Sequence, residues 1–275
     1  MRINANIAAL NANRNLSVTN GQLSKSLEKL SSGYRINRAA DDAAGLAISE
    51  GLRSEIRGNA QAQRNAQDGI SFLQTAEGAL TEVHSMLQRM RELAVQAANT
   101  TSDGSAEQGE VTELQTEITA IGARTKFSGI TVFADFTTNA LNFQVSANAA
   151  TAEQVSISSD LTLSSSAVAG VDISTIDLTT SDATAQAALT VLDTAIKAVS
   201  TTRATLGSVQ NRLEHTVANL GVAVENLTAS ESRIRDVDMA EEMVNYTRNN
   251  ILSQAGTAML AQANQMPQSI LQLLR

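Results

Sequence analysis

Apolar residues recur at steps of three, four and seven along the C-terminal half of this 275-residue chain, and this spacing limits the folds open to it. The stripe consists of Leu206, Leu213, Val217, Leu220, Val224, Leu227 and Ile234. It keeps coiled-coil spacing over about four heptads, which is typical of a long helix packed against another helix. Because the chain has a single proline, its composition permits very long helices. We predict a helix of about 50 residues that begins near Asp182 and ends near 235–238.

The N-terminal half carries matching stripes. One comprises Leu16, Leu23, Leu27, Leu30 and Tyr34, and a second, in a different phase, comprises Ile3, Ile7 and Leu10. The sequence Ser-Ser-Gly at 31–33 should interrupt the first helix, and Asp41-Asp42 is suited to cap a second one. A further stripe, made of Leu80, Leu87, Met90, Ala94 and Ala97, leads to a turn cluster at 99–104. A third helix is predicted at about 105–125.

The C-terminal tail is unusual, because residues 249–274 include no charged residue but contain eight Asn or Gln. A membrane anchor would not carry that many amides, and a solvated helix would carry charges. We therefore expect a helix buried against other helices, which Pro267 kinks or ends. The N-terminus is similarly apolar, so the simplest arrangement pairs the two ends as antiparallel helices. Their leftover apolar faces imply partners, and such segments should be poorly ordered before they find them.

The middle of the chain differs from both ends. Residues 127–196 contain no Lys or Arg but seven acids, so they hold seven of the eight net negative charges. Short strands are predicted at 130–133, 141–145 and 155–157. The predicted fold is mainly α with a small β region. It is a long antiparallel coiled-coil rod with paired termini and a β-hairpin cap.

Residues that carry chemistry are scarce. His84 and His215 are the two histidines, neither lies in a His-Glu-x-x-His array, and the chain has no cysteine, no P-loop and no Gly-x-Gly-x-x-Gly. We expect no catalytic residues, no metal and no cofactor, and hence no enzyme. The acidic balance argues against nucleic-acid binding, and no apolar run is long enough for a membrane span. The first 17 residues lack the features of a signal peptide, which excludes only that export route.

Several long motifs are similar to those of bacterial flagellins. In the N-terminal part they are LSSGYRIN at 30–37, DDAAGLAI at 41–48, NAQDGI at 65–70 and QRMRELAVQ at 88–96. In the C-terminal part they are VQNRL at 209–213, ENLTA at 225–229, SRIRDVD at 232–238 and LAQAN at 260–264. The resemblance covers about 1–135 and 185–275, with every motif in the same order as in the family.

The resemblance implies a structural subunit of the flagellar filament that serves motility. Residues 1–33 and 239–275 would form an inner coiled-coil domain that folds on polymerisation, and 34–135 with 185–238 a helical rod domain. Residues 136–184 would be a β-rich, Ser/Thr-rich acidic cap, part of the rod domain or a vestigial outer domain. Polymer contacts are expected at Ile3, Ile7, Leu10, Leu260, Leu271 and Leu274.

The resemblance also implies partners and a location. It predicts an extracellular homopolymer that leaves the cell through the flagellar export apparatus with an export chaperone, and that meets the filament cap and the hook-associated proteins. It further implies that a host Toll-like receptor recognises the monomer at Arg89, Leu93 and Glu117. Two alternatives stay open: a hook–filament junction protein, and a secreted binding module or enzyme that uses the middle segment.

Overall fold

A computed structural model describes residues 6–99, 104–133, 141–147, 154–157, 161–164, 167–179 and 182–273. Its helices are α1 (Ile7–Ser32), α2 (Ala43–Ala97), α3 (Ser105–Arg124), α4 (Asp182–Arg235) and α5 (Met239–Leu273). Its strands are β1 (Lys126–Phe127), β2 (Ile130–Thr131), β3 (Leu141–Gln144), β4 (Gln154–Ile157), β5 (Ala167–Val168) and β6 (Val171–Asp172). The fold is mainly helical with small antiparallel hairpins, as the sequence predicts.

Local residues set the helix ends. Gly33 closes α1 in the left-handed conformation (φ 74°), where a side chain would be strained. The Asp42 carboxylate accepts a hydrogen bond from the Gly45 amide at 2.9 Å and so caps the start of α2. Asp238 does the same for α5, accepting from the Ala240 amide at 2.9 Å. The predicted breaks at 31–33 and 235–238 and the predicted cap at Asp42 are therefore confirmed. Pro267 does not end the last helix, since α5 continues to Leu273, and the alternative expectation of a kink at Pro267 stays a prediction.

The chain divides into two compact units. The terminal unit comprises Met1–Ile56 and Glu225–Arg275, and the central unit comprises Arg57–Val224. The predicted three-part division, with boundaries at 33/34, 135/136, 184/185 and 238/239, stays a prediction.

In the terminal unit, α1 and α5 pack side by side and antiparallel. The Asn6 amide donates to the Ala263 carbonyl at 2.6 Å, and the Ser253 hydroxyl donates to Asn20 at 2.9 Å. The α1 side of this seam repeats at steps of three and four, and its less exposed positions are Ala9, Ala12, Leu16, Thr19, Leu23, Ser26 and Leu30. Predicted pairing of the termini is thus confirmed, but the predicted stripe contains an error. Leu27 is 49% exposed and points away from α5, because buried Ser26 takes the seam position.

The central unit holds the hydrophobic core. Its α2 stripe is buried as predicted, with Leu80, Leu87, Met90, Ala94 and Ala97 all at most 5% exposed. On α4, Leu206 and Leu213 face the same core and Val217 packs against it. Two ion pairs also join these helices, Arg91 with Asp193 and Arg203 with Glu77. The predicted coiled-coil pairing of α2 with α4 is confirmed.

Three two-stranded hairpins cover part of this core. The β1–β2 turn places Ser128 and Gly129 at positive φ, and the β5–β6 turn does so with Ala169 and Gly170. Two successive residues at positive φ give the tight turn that matches strand twist. Strands predicted at 141–145 and 155–157 correspond to β3 and β4, and β2 is shorter than predicted. The sequence does not predict β1, β5 and β6, because two-residue strands leave no readable alternation.

Candidate assembly surface

Exposed apolar side chains are concentrated in the terminal unit. Among the described residues, fifteen large hydrophobic side chains are exposed, and twelve of them belong to this unit. They are Ile7, Leu10, Val18, Leu27, Tyr34, Ile48, Met239, Met243, Val244, Ile251, Leu252 and Met259. Of the 35 buried hydrophobic side chains described, in contrast, only Ile36 and Ala263 lie there. The terminal unit therefore has apolar surface but almost no core of its own.

Helix α5 carries apolar residues on nearly all of its faces. Its seam with α1 includes Glu242, Leu260 and Ala263, which are buried or half-buried. At 100° per residue, Met243 and Ile251 project about 100° and 180° away from Glu242. Val244, Ile251 and Leu252 also line an open groove on this helix. A helix with apolar residues on most of its faces is normally covered on most sides, yet within the described part of the chain α1 covers one side of α5.

The predicted polymer contacts fall into three groups. Ile7 and Leu10 are 61% and 64% exposed, so they are free to meet another molecule. Leu260 is half-buried and lies on the seam with α1. Ile3 and Leu274 lie outside the described residues, as does the side chain of Leu271.

A cluster of interactions joins the two chain connections of the terminal unit. The Arg35 amide donates to the Arg235 carbonyl at 2.6 Å, and the Val237 amide donates to the Gly33 carbonyl at 3.0 Å. The Arg235 guanidinium lies 4.7 Å from the centre of the Tyr34 ring and 2.9 Å from Glu50. The sequence predicts both helix breaks but gives no sign that they meet, because about 200 residues separate them along the chain.

Ion pairs also hold the end of α4 against the start of α2. Glu50 accepts hydrogen bonds from Arg53 at 3.0 Å and from Arg235 at 2.9 Å. These two hydrogen bonds, that from Arg53 first, lower the pKa of the Glu50 carboxyl. The cluster keeps the end of α4 beside the start of α2, so it sets the path along which the chain enters α5.

The residues predicted for receptor recognition lie in the central unit. Arg89 is half exposed and its guanidinium donates to Glu110 on α3 at 2.7 Å and to Glu92 at 3.3 Å. These bonds, led by that to Glu110, raise the pKa of Arg89, and the Arg89 bond lowers the pKa of Glu110. Glu117 is exposed two turns further along α3 and pairs with Arg124. Leu93 is only 3% exposed and belongs to the core.

The described residues offer little for catalysis. Within the described ranges, no group of three His, Asp or Glu side chains is placed to hold a metal ion. Across the same part of the chain, no helix has the length and apolarity needed to cross a bilayer. What the geometry offers instead is a pair of helices with uncovered apolar faces, joined to a well-packed central unit.

Comparison with known proteins agrees with this organisation. Residues 3–138 match the family described as the bacterial flagellin N-terminal helical region, and residues 189–274 match the bacterial flagellin C-terminal helical region. A flagellin of Halalkalibacterium halodurans is 53% identical over 279 residues, and one of Bacillus subtilis is 52% identical over 306. Flagellin FlaB2 of Treponema pallidum is 46% identical over 287 residues. Each of these alignments covers 100% of both chains.

Proposed function

This chain belongs to the bacterial flagellin family, and we propose that the uncovered faces of α1 and α5 form the contacts through which its copies polymerise. Flagellin is the structural, non-enzymatic subunit of the extracellular flagellar filament. The observation that carries the proposal is the unequal placement of apolar side chains, exposed in the terminal unit and buried in the central one.

The energetics favour several neighbours around each subunit. Burying one large aliphatic side chain completely stabilises by about 1.5–3 kcal/mol. Covering the twelve roughly half-exposed side chains of the terminal unit is therefore worth on the order of 10 kcal/mol in total. Association costs about 4–15 kcal/mol. Because the two quantities are of similar size, one neighbour on one face would recover only a fraction of the burial energy, whereas neighbours on several sides would recover most of it.

The same distribution supports folding on assembly. The seam of the terminal unit includes polar side chains, with Thr19 and Ser26 on α1 and Ser253 on α5. Its described residues form almost none of the apolar core that stabilises an isolated domain. Its helices become fully ordered when other copies cover them. Residues 1–33 and 239–275 then form the inner domain of the filament, with 34–135 and 185–238 as the rod domain and 136–184 as its cap.

We also propose that the chain is exported through the flagellar apparatus with a chaperone and that it meets the filament cap and the hook-associated proteins. Membership of the flagellin family supports these partners. Full-length similarity to flagellins supports the filament subunit over the hook–filament junction alternative.

Deleting residues 256–275 tests the polymerisation mechanism. The deletion removes the last part of the α5 seam, including Leu260 and Ala263, but leaves the central unit intact. The truncated chain should stay monomeric in sedimentation after salt-induced assembly, where the full chain forms filaments visible by electron microscopy. Thermal unfolding of the central unit, followed by circular dichroism, is the control for overall folding. Normal filaments from the truncated chain would refute the mechanism.

We further propose that a host Toll-like receptor recognises the free monomer on the face formed by α2 and α3. Arg89 and Glu117 are both exposed on this face, and Arg89 is held in place by Glu110 and Glu92. Leu93 supports the face from the core rather than by direct contact, since it is buried.

Arg91 provides a matched control for this second proposal. It lies two residues from Arg89 on α2, is similarly exposed at 47% against 51%, and also forms an ion pair, here with Asp193. Arg89→Ala should weaken receptor signalling by purified monomer at least tenfold, whereas Arg91→Ala should leave it near the unmodified level. Equal signalling by both variants would contradict the assignment, provided that their circular dichroism spectra match.

A further inference from the structure

The exposed methionines of the described residues all lie on α5. Met239 and Met243 are each 49% exposed and Met259 is 63% exposed. In the central unit, Met90 is completely buried and Met86 is half-buried. The chain has no cysteine and no tryptophan, so methionine is its most easily oxidised residue type.

Oxidation changes the character of such a side chain without a large change in size. Hydrogen peroxide transfers one oxygen atom to the thioether sulfur: a sulfur–oxygen bond forms, the peroxide oxygen–oxygen bond breaks, and water leaves. The sulfur loses two electrons and the peroxide gains them. The product is a polar sulfoxide. Methionine sulfoxide reductases convert it back to the thioether: a dithiol reductant gives up two electrons and becomes a disulfide, the sulfur–oxygen bond breaks, and the oxygen leaves as water.

The position of these methionines determines whether the sulfoxide destabilises the free subunit or the assembled one. Met243 lines the open groove beside Ile251 and Leu252, and Met239 lies one turn before it. In the free subunit an exposed sulfoxide stays hydrated, so it leaves the fold undisturbed. Beneath a neighbouring subunit it must lose that water, and burying a polar group without a partner is unfavourable.

We infer that Met239, Met243 and Met259 are oxidation-sensitive positions on α5 through which redox chemistry controls the addition of free subunits to a filament. Oxidation of the free subunit weakens its addition to a filament, and reduction of the sulfoxides restores it. This inference rests on the proposed role of α5 in assembly. It adds a modification chemistry and a control point to that role.

The test exposes purified subunits and preformed filaments to hydrogen peroxide and quantifies the sulfoxide at each methionine by peptide mass spectrometry. In free subunits Met239, Met243 and Met259 should oxidise at least tenfold faster than Met90, and in filaments they should be protected. Oxidised subunits should show at least a tenfold higher critical concentration by light scattering, equivalent to about 1.4 kcal/mol. Treatment with methionine sulfoxide reductases should reverse that rise.

Leucine variants separate the site from general damage. The triple variant M239L/M243L/M259L keeps similar side-chain volumes and should assemble normally after peroxide treatment, whereas M86L should remain sensitive. Normal assembly of fully oxidised subunits, or a triple variant as sensitive as the unmodified chain, would overturn the inference. Failure of the untreated chain to polymerise would instead refute the proposed function, and the inference with it.

Discussion

Replacing Ile251 by alanine measures how much one exposed side chain of α5 contributes to assembly. Ile251 is 60% exposed and projects away from the seam with α1, so the free subunit gains little from it. Covering the exposed part of an isoleucine is worth about 1–2 kcal/mol, and alanine retains only the first carbon of the side chain. The expected loss is about 1–1.4 kcal/mol per added subunit. Because 1.4 kcal/mol corresponds to a factor of ten, the critical concentration should rise about five- to tenfold.

The assay is the critical concentration, taken from sedimentation of filaments over a series of total protein concentrations. Val222→Ala is the matched control, since Val222 is 58% exposed but lies on α4 in the central unit. It should change the critical concentration less than twofold. Thermal unfolding of both monomers should be unchanged, because neither side chain is buried in the free subunit. A critical concentration that Ile251→Ala leaves unaltered would refute the claim that neighbours cover this face of α5.

Three further predictions concern the subunit fold. A Cβ at Gly122 would clash with the Leu163 carbonyl oxygen, so Gly122→Ala should lower the melting temperature. Gly109 lies on the same helix with open space around it, so Gly109→Ala should stabilise the fold by about 0.5–1 kcal/mol. Asp238→Ala should speed amide exchange at the start of α5 by removing a cap worth about 1 kcal/mol, and Asp238→Ser should largely restore it. Hydrogen bonds from the Arg38 and Asn37 amides lower the pKa of the Asp41 carboxyl. The ionised carboxylate therefore stabilises the fold at neutral pH, and this stabilisation is lost as the pH falls through the lowered pKa. Acid titration followed by circular dichroism should therefore show a smaller loss of stability in Asp41→Asn.

The sequence predicts helix ends well because their causes are local. Asp42 and Gly33 act on backbone groups within a few residues, so their effect can be read without knowing the fold. The pairing of Arg235 with Tyr34 and Glu50 cannot be read in this way, since it joins positions that only the tertiary structure brings together. Leu27 shows a different limit. A coiled-coil position between Leu23 and Leu30 can fall three residues after Leu23, at Ser26, or four residues after it, at Leu27. Hydrophobicity favours Leu27, but in the structure Ser26 is the buried residue.

The predicted functional residues also divide into those that the local sequence identifies and those whose environment depends on the tertiary structure. Ile7 and Leu10 can be identified as unpaired apolar positions because they are out of phase with the α1 stripe. Similarity alone assigns Leu93 to a recognition surface, and its burial depends on how α2 packs in the central unit. The concentration of exposed methionines on α5 has no periodicity that spacing would reveal, since it depends on which side of α5 is covered by α1.

The two units use the same residue types for different purposes. Leucine, isoleucine, valine and methionine stabilise the central unit by leaving water during folding, whereas in the terminal unit the same types stay in contact with water until another copy arrives. Polar substitutions at Ile251 or Leu10 would therefore make the free subunit more soluble while they remove the driving force for assembly. A polymer-forming chain of this kind has to leave apolar surface of its terminal unit uncovered in the monomer. Any substitution that makes this surface polar stabilises the free subunit in water and weakens the filament.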